Sequence, residues 1–142
     1  MPKTPTASRS PWTILTVLCA SVFIIVVDGT IVNVALPTFV RELGATTSQL
    51  QWIVDAYVLV FAGLLMAAGS IGDRFGRKGT LMTGMIAFGA TSILAAQSSS
   101  PAQLIGWRAA MGIGAALIFP ATLAILVNVF TDARQRAIAI SV

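Results

Sequence analysis

Four long apolar stretches dominate this chain and leave little choice of fold. They cover residues 12–37, 51–72, 79–97 and 104–130. A helix needs about 20 mostly apolar residues to cross the hydrocarbon core of a bilayer, and each stretch is close to that length or longer. Because lipid offers no partners for backbone polar groups, we expect four transmembrane α-helices in an all-α membrane protein.

The composition argues against a soluble enzyme. Hydrophobic residues make up 56% of the chain and charged residues 10%, whereas soluble domains carry about a quarter charged residues. The chain has five carboxylates, one cysteine and no histidine, which leaves little material for a metal site or a catalytic triad. We therefore expect neither enzymatic activity nor a bound metal or cofactor.

The basic residues indicate the orientation in the membrane. They form short tracts between the apolar stretches, which argues against a nucleic-acid partner despite the formal charge of +4. If the N-terminus is cytoplasmic, most of them lie on the cytoplasmic side, as the positive-inside rule requires. These are Lys3, Arg9, Arg74, Arg77, Lys78, Arg134 and Arg136. We predict a multi-pass protein of the cytoplasmic membrane.

The two ends of the chain differ in character. Residues 1–11 are rich in proline, serine and threonine, and we expect a cytoplasmic tail there. A cleaved signal peptide is the alternative, but the first apolar stretch is too long and no small-residue cleavage pattern follows it. From residue 137 the sequence becomes apolar again, which predicts the beginning of a fifth span.

Three ionisable residues, Asp28, Asp55 and Arg108, fall within the predicted spans. A charge there costs about 2.5 kcal/mol or more, so it usually faces a partner or a watery cavity. At about 1.5 Å per residue all three lie in the outer half of the membrane, and Arg108 can pair with either carboxylate. An unpaired Asp28 would instead favour its protonated form and exchange protons near neutral pH. A purely structural ion pair and a carboxylate that reaches the interface remain alternatives.

Other residues in the spans have structural interpretations. Tyr57 is expected to anchor its helix at the membrane interface. Gly112 and Gly114 belong to small-residue spacings that allow close helix packing, and Pro120 should kink the fourth span.

Residues 69–78, Gly-Ser-Ile-Gly-Asp-Arg-Phe-Gly-Arg-Lys, predict a tight cytoplasmic turn between the second and third spans. Asp73 follows the C-terminal end of a helix, where the helix dipole disfavours an anion. It should therefore be compensated by Arg74, Arg77 or the N-terminus of another helix. Gly76 can close the turn with a positive φ.

This stretch resembles the G-x-x-x-D-[RK]-x-G-R-[RK] signature of the major facilitator superfamily. Two further stretches, from Asp28 to Pro37 and from Arg108 to Pro120, resemble the fourteen-span drug:proton antiporter branch of that superfamily. The resemblance implies part of an N-terminal six-helix bundle from a multidrug exporter. Its partners would be the lipid bilayer, protons, amphiphilic or cationic substrates and the remaining transporter helices.

The resemblance also implies residue roles. A cytoplasmic gate would consist of Gly69, Asp73, Arg74, Gly76, Arg77 and Lys78. Asp28 would bind a proton or a cationic drug, and Arg108 would couple to proton movement. Met111 departs from the branch, which often has glutamine there, and Asp55 belongs to none of the signatures. We expect proton-coupled efflux by alternating access; the alternatives are an uptake or metabolite carrier of the same superfamily and a complete four-helix scaffold protein.

Overall fold

The computed structural model describes residues 11–129, which form four α-helices and no strand. They are α1 (Pro11–Leu43), α2 (Thr47–Phe75), α3 (Arg77–Ala96) and α4 (Pro101–Val129). All four are long and apolar enough to cross a membrane, judged by length and composition. The predicted fold class is confirmed. The predicted tail, apart from Pro11, and the predicted fifth span lie outside the described residues.

The first two helices are longer than the apolar stretches alone suggest. α1 continues through Pro37 to Leu43, since a membrane helix tolerates a proline when its freed backbone groups find other partners. α2 begins at Thr47 because Thr46 caps it. The Gln49 amide donates to the Thr46 hydroxyl at 3.3 Å, and the Thr46 amide donates to the Gln49 side chain at 3.0 Å. This reciprocal pair is a capping box.

The expected tight turn between α2 and α3 is present and Gly76 closes it, but the predicted extent of residues 69–78 is wrong. α2 continues to Phe75, α3 begins at Arg77, and Gly76 alone separates the two helices. Gly76 has φ +97°, a conformation that favours glycine. The residues before Gly76 remain helical because their backbone groups keep their i to i−4 hydrogen bonds up to the break: the Gly76 amide still donates to the Gly72 carbonyl at 3.1 Å.

α4 lies at the centre of the four helices and is the most buried of them. Two of its three glycines face different neighbouring helices. A Cβ atom on Gly112 would lie 2.7 Å from the Tyr57 carbonyl oxygen of α2, and one on Gly114 would lie 2.8 Å from the Phe88 nitrogen of α3. Gly84 of α3 faces Gly114 equally closely, because a Cβ there would lie 3.0 Å from the Gly114 carbonyl oxygen. These glycines let α4 sit between α2 and α3.

The outward faces of the helices are apolar. Val34 is 76% exposed and Met66 is 87% exposed within these four helices. Such a surface would be unfavourable in water, and it suits contact with lipid or with further helices.

Candidate functional site

A buried ion pair joins α1 to α4. Arg108 is 2% exposed, although it carries a full charge within an apolar helix. Its Nη1 donates to Oδ2 of Asp28, and its Nε donates to the Ile53 carbonyl of α2 at 3.1 Å. The Asp28 side chain is 15% exposed. The arginine therefore holds three helices together, and of the two expected carboxylate partners it contacts Asp28.

Tyr57 completes the surroundings of Arg108 and was missed as a site residue. It is buried among the helices, and its ring centroid lies 4.4 Å from the Arg108 guanidinium carbon, which is cation–π distance. Its hydroxyl is buried without a hydrogen-bond partner among the described residues. The sequence carried one usable signal: Tyr57 follows Ile53 by four residues, so both lie on the same face of α2.

Asp55 is not part of this cluster. It is half-buried, and within residues 11–129 it makes no ion pair or hydrogen bond. Trp52 and Leu59, three and four residues away on the same helix face, are both exposed. Asp55 therefore lies on a face of α2 that does not pack against Arg108.

A cavity of about 530 Å³ opens between α1 and α2 beside Arg108; we call it the α1–α2 cavity. Its walls are mainly valines, with four polar residues among them: Thr30, Asn33, Tyr57 and Arg108. The Asn33 amide donates to the Gly29 carbonyl at 2.8 Å and the Thr30 hydroxyl donates to the Val26 carbonyl at 3.2 Å. A concave, largely apolar space with a few convergent polar groups is typical of small-molecule sites.

A second, exposed ion pair lies at the other end of the bundle. Asp73 and Arg77 flank the helix break, with Arg77 Nη2 at 3.1 Å and Nε at 3.3 Å from Asp73 Oδ1. Arg77 Nη1 also donates to the Ala124 carbonyl of α4 at 3.0 Å. Of the groups expected to compensate the charge of Asp73, the one that pairs with it in the structure is Arg77. Arg77 also links the α2–α3 connection to α4.

The other residues of the expected gate take no part in ion pairs within the described chain. Arg74 and Lys78 are exposed. Gly69 lies against Pro120, the proline inside α4: a Cβ atom on Gly69 would be 3.9 Å from the Cβ of Pro120, an ordinary contact distance. Gly69, Asp73, Arg77 and Pro120 all line a cavity of about 400 Å³ between α2 and α4. No group of side chains in residues 11–129 is suited to hold a metal ion.

Comparison with known proteins decides the family. The model of the major facilitator superfamily matches residues 18–142. The chain belongs to this superfamily. Membership agrees with the expectation of a transporter and not an enzyme. The signature around Asp73 and the cluster around Arg108 therefore belong to a chain of the major facilitator superfamily.

Several curated relatives of this major facilitator chain are named for drug export or resistance. The multidrug efflux pump LfrA of Mycolicibacterium smegmatis is 41% identical over 98% of the chain, and the puromycin resistance protein of Streptomyces alboniger is 39% identical over 92%. The cephamycin export protein CmcT of Amycolatopsis lactamdurans is 36% identical over 99%. The chain spans 26% to 28% of the length of these relatives.

Proposed function

We propose that this chain is part of a proton-coupled exporter of amphiphilic or cationic compounds that works by alternating access. The observation that carries the proposal is the Asp28–Arg108 pair, a carboxylate and a guanidinium held together between two membrane-spanning helices. The names of the relatives favour export over uptake. The whole transporter would place its site between this bundle and a second one, as carriers with internal repeats do.

In the proposed cycle Asp28 exchanges its partner. A proton that arrives on the carboxylate neutralises it and removes most of its attraction to Arg108. Loss of that proton restores the pair. A cation bound in the α1–α2 cavity would repel the Arg108 guanidinium that lines it toward Asp28 and so favour loss of the proton, which means that occupation by one would oppose occupation by the other. Such mutual opposition is the minimum requirement for exchange of a proton against a substrate.

The α1–α2 cavity supports the choice of substrate class. Its valine walls would bury an apolar ring or chain, while Asn33, Tyr57 and Arg108 offer a few polar contacts. Asp55, without a partner in the described chain, is a second carboxylate available to a cationic group or a proton. Because Asp55 lies on a face of α2 that does not pack against Arg108, any such role is separate from that of Asp28.

We further propose that the cluster around Asp73 and Arg77 is the cytoplasmic gate. The Asp73–Arg77 pair and the contact of Arg77 with α4 tie three helices together at one end, which suits an element that closes and opens. Arg74 and Lys78 would face partners in the remaining helices or lipid head groups. In this orientation the N-terminus lies in the cytoplasm and the protein in the cytoplasmic membrane, with the tract from Arg74 to Lys78 inside.

The test uses the full-length transporter in proteoliposomes with a pH dye inside. Wild type should move protons when a cationic drug is added against a pH gradient, and Asp28→Asn should abolish both proton flux and drug extrusion. The double variant Asp28→Asn with Arg108→Gln separates function from structure, because it removes both charges. We expect it to restore protein yield and not transport. Normal transport by Asp28→Asn would contradict the proposal, and drug accumulation driven inward would favour the uptake alternative.

A further inference from the structure

The Asp28–Arg108 pair stands between two cavities. The first is the α1–α2 cavity. The second, which we call the end cavity, lies between α1, α3 and α4 and has a volume of about 250 Å³. Arg108 lines both cavities, whereas Asp28 lines the end cavity and not the α1–α2 cavity. We infer that protons reach Asp28 through the end cavity, by a route separate from the cavity that takes the substrate.

The end cavity reaches from Asp28 to the end of the bundle at which α1 stops. Glu42, in the last turn of α1, and Ser98, in the connection between α3 and α4, line it near that end. Asp28 and Arg108 line it within the bundle. Under the proposed orientation this is the outer end, from which protons flow down their gradient. The inference therefore rests on the proposed function.

The polar groups of the end cavity are suited to hold water. Thr38, Glu42, Ser92 and Ser98 all line it, and none of these four side chains makes a hydrogen bond with another described residue. The Ser98 hydroxyl is fully buried without a partner in the described chain. Buried polar groups are nearly always satisfied by protein or by ordered water, so water is the partner that fits here.

The size of the end cavity agrees with this assignment. A water molecule takes a share of about 30 Å³ in the liquid, so the cavity has room for several. Hydroxyls on α1 and α3 lie along a path whose two ends carry carboxylates, Glu42 and Asp28. A hydrogen-bonded water file of this kind passes protons and excludes a drug-sized molecule, because the cavity is smaller than the usual range of roughly 300–1,000 Å³ for ligand sites.

The titratable groups around Asp28 come from three helices. Arg108 of α4 contacts it, Tyr57 of α2 stacks on Arg108, and Glu42 lies farther along α1. α3 contributes hydroxyls alone to the polar lining of the end cavity. Arg108 is therefore the one side chain of this group that faces both the proton side and the substrate side. Movement of its guanidinium would let binding in one cavity affect binding in the other.

A blocking experiment on one folded protein tests the inference. Ser98→Cys is introduced into a full-length parent transporter in which Cys19 and any further cysteines have been replaced by alanine, so that the new thiol can be modified selectively. The proton flux of the unmodified Ser98→Cys variant is measured first and serves as the reference for the modified protein. Attachment of a bulky, charged thiol reagent should then abolish proton flux while the Kd for a cationic dye stays unchanged. Ala102→Cys is the matched control, since Ala102 is exposed at the same end and does not line the end cavity.

A second pair of variants supports the first without labelling. Ser92→Leu should fill the end cavity and reduce proton flux, and Ala90→Leu, on an exposed position of the same helix, should not. Unchanged proton flux after modification of the thiol in the Ser98→Cys variant would overturn the separate route, and so would an equal loss of dye binding. If the unmodified parent shows no coupled proton flux, the proposed function fails instead, so the two failures are distinguishable.

Discussion

Two ion pairs within residues 11–129 each join an aspartate to an arginine, but one pair is buried and the other is exposed. Asp28 and Arg108 have side chains 15% and 3% exposed and join α1 to α4 within the membrane-spanning region. Asp73 and Arg77 are 67% and 36% exposed and lie four residues apart across the break between α2 and α3. Removal of one member of the buried pair leaves a largely desolvated charge without its counter-ion. Removal of one member of the exposed pair leaves a charge that solvent can hydrate.

This difference separates stability from function. The buried pair should contribute to both, because neither charge has a second ion-pair partner among residues 11–129 and its carboxylate is the proposed proton carrier. The exposed pair should matter to the transport cycle and little to stability. Substitutions that change one quantity and not the other therefore test the comparison most sharply.

The largest effect is expected from Asp28→Asn, which leaves the Arg108 guanidinium buried without a counter-charge. Loss of one partner of a buried pair costs about 3–5 kcal/mol. We expect a clear fall in the thermal unfolding midpoint of the detergent-solubilised full-length transporter, and a smaller fall for Asp28→Asn combined with Arg108→Gln. The exposed Arg41, replaced by Gln, serves as the control. If the single variant had the same unfolding midpoint as wild type, the buried pair would not contribute to stability in this way.

The next effect concerns the packing that positions Arg108 on α4. Gly114→Ala would bring a Cβ atom within 2.8 Å of the Phe88 nitrogen, and overpacking of this kind costs about 1–3 kcal/mol. Gly69→Ala, beside the exposed pair, meets its nearest atom at 3.9 Å and should be tolerated. Thermal unfolding of both variants measures the contrast. Equal midpoints would mean that α3 and α4 are not packed as closely as the structure shows.

A smaller effect is expected at Tyr57, whose ring lies against Arg108. Tyr57→Leu should lose the cation–π contact, worth about 1–2 kcal/mol at a desolvated site, while Tyr57→Phe should keep it. We therefore expect drug extrusion to fall in the leucine variant and to be largely retained in the phenylalanine variant. If both variants kept wild-type activity, the cation–π contact would not be needed for transport. If both lost activity, the hydroxyl and not the ring would be the important group.

The smallest stability effect belongs to Asp73→Asn. An exposed ion pair is worth about 0–1 kcal/mol, so the unfolding midpoint should barely change. Transport turnover should nevertheless fall while the Kd for substrate stays near its wild-type value, because the substitution acts on the gate and not on the cavity. Ser70→Ala, an exposed neighbour on α2, provides the control. A normal turnover would reduce the stretch around Asp73 to a signal for membrane orientation.

The common level of Asp28 and Arg108 along the bundle was predictable from the sequence, and the direction in which a side chain points around its helix was not. Counting residues along the spans placed Asp28, Asp55 and Arg108 at similar depths, and the structure brings Asp28 and Arg108 together. The same counting could not show that Asp55 lies on another face. That distinction depends on how α2 packs against α4, which is set by contacts such as that of Gly112 with the Tyr57 backbone.

Helix ends were missed for a related reason. The apolar pattern fades before the helices do, so α1 passes Pro37 and α2 continues to Phe75. The beginning of α2 had a local signal, Thr46 followed three residues later by Gln49, which is a capping-box spacing. The close approach of Gly84 to α4 had no such signal, because a glycine in an apolar helix is compatible with lipid contact as well as with packing.

The account depends most directly on exchange of a proton for a substrate at Asp28. Proton release on drug binding measures this exchange, with the purified full-length transporter in weakly buffered detergent solution and a pH indicator. The account predicts that wild type releases protons in proportion to the drug bound, and that Asp28→Asn releases none. Drug binding to wild type without proton release, or equal release from Asp28→Asn, would contradict it.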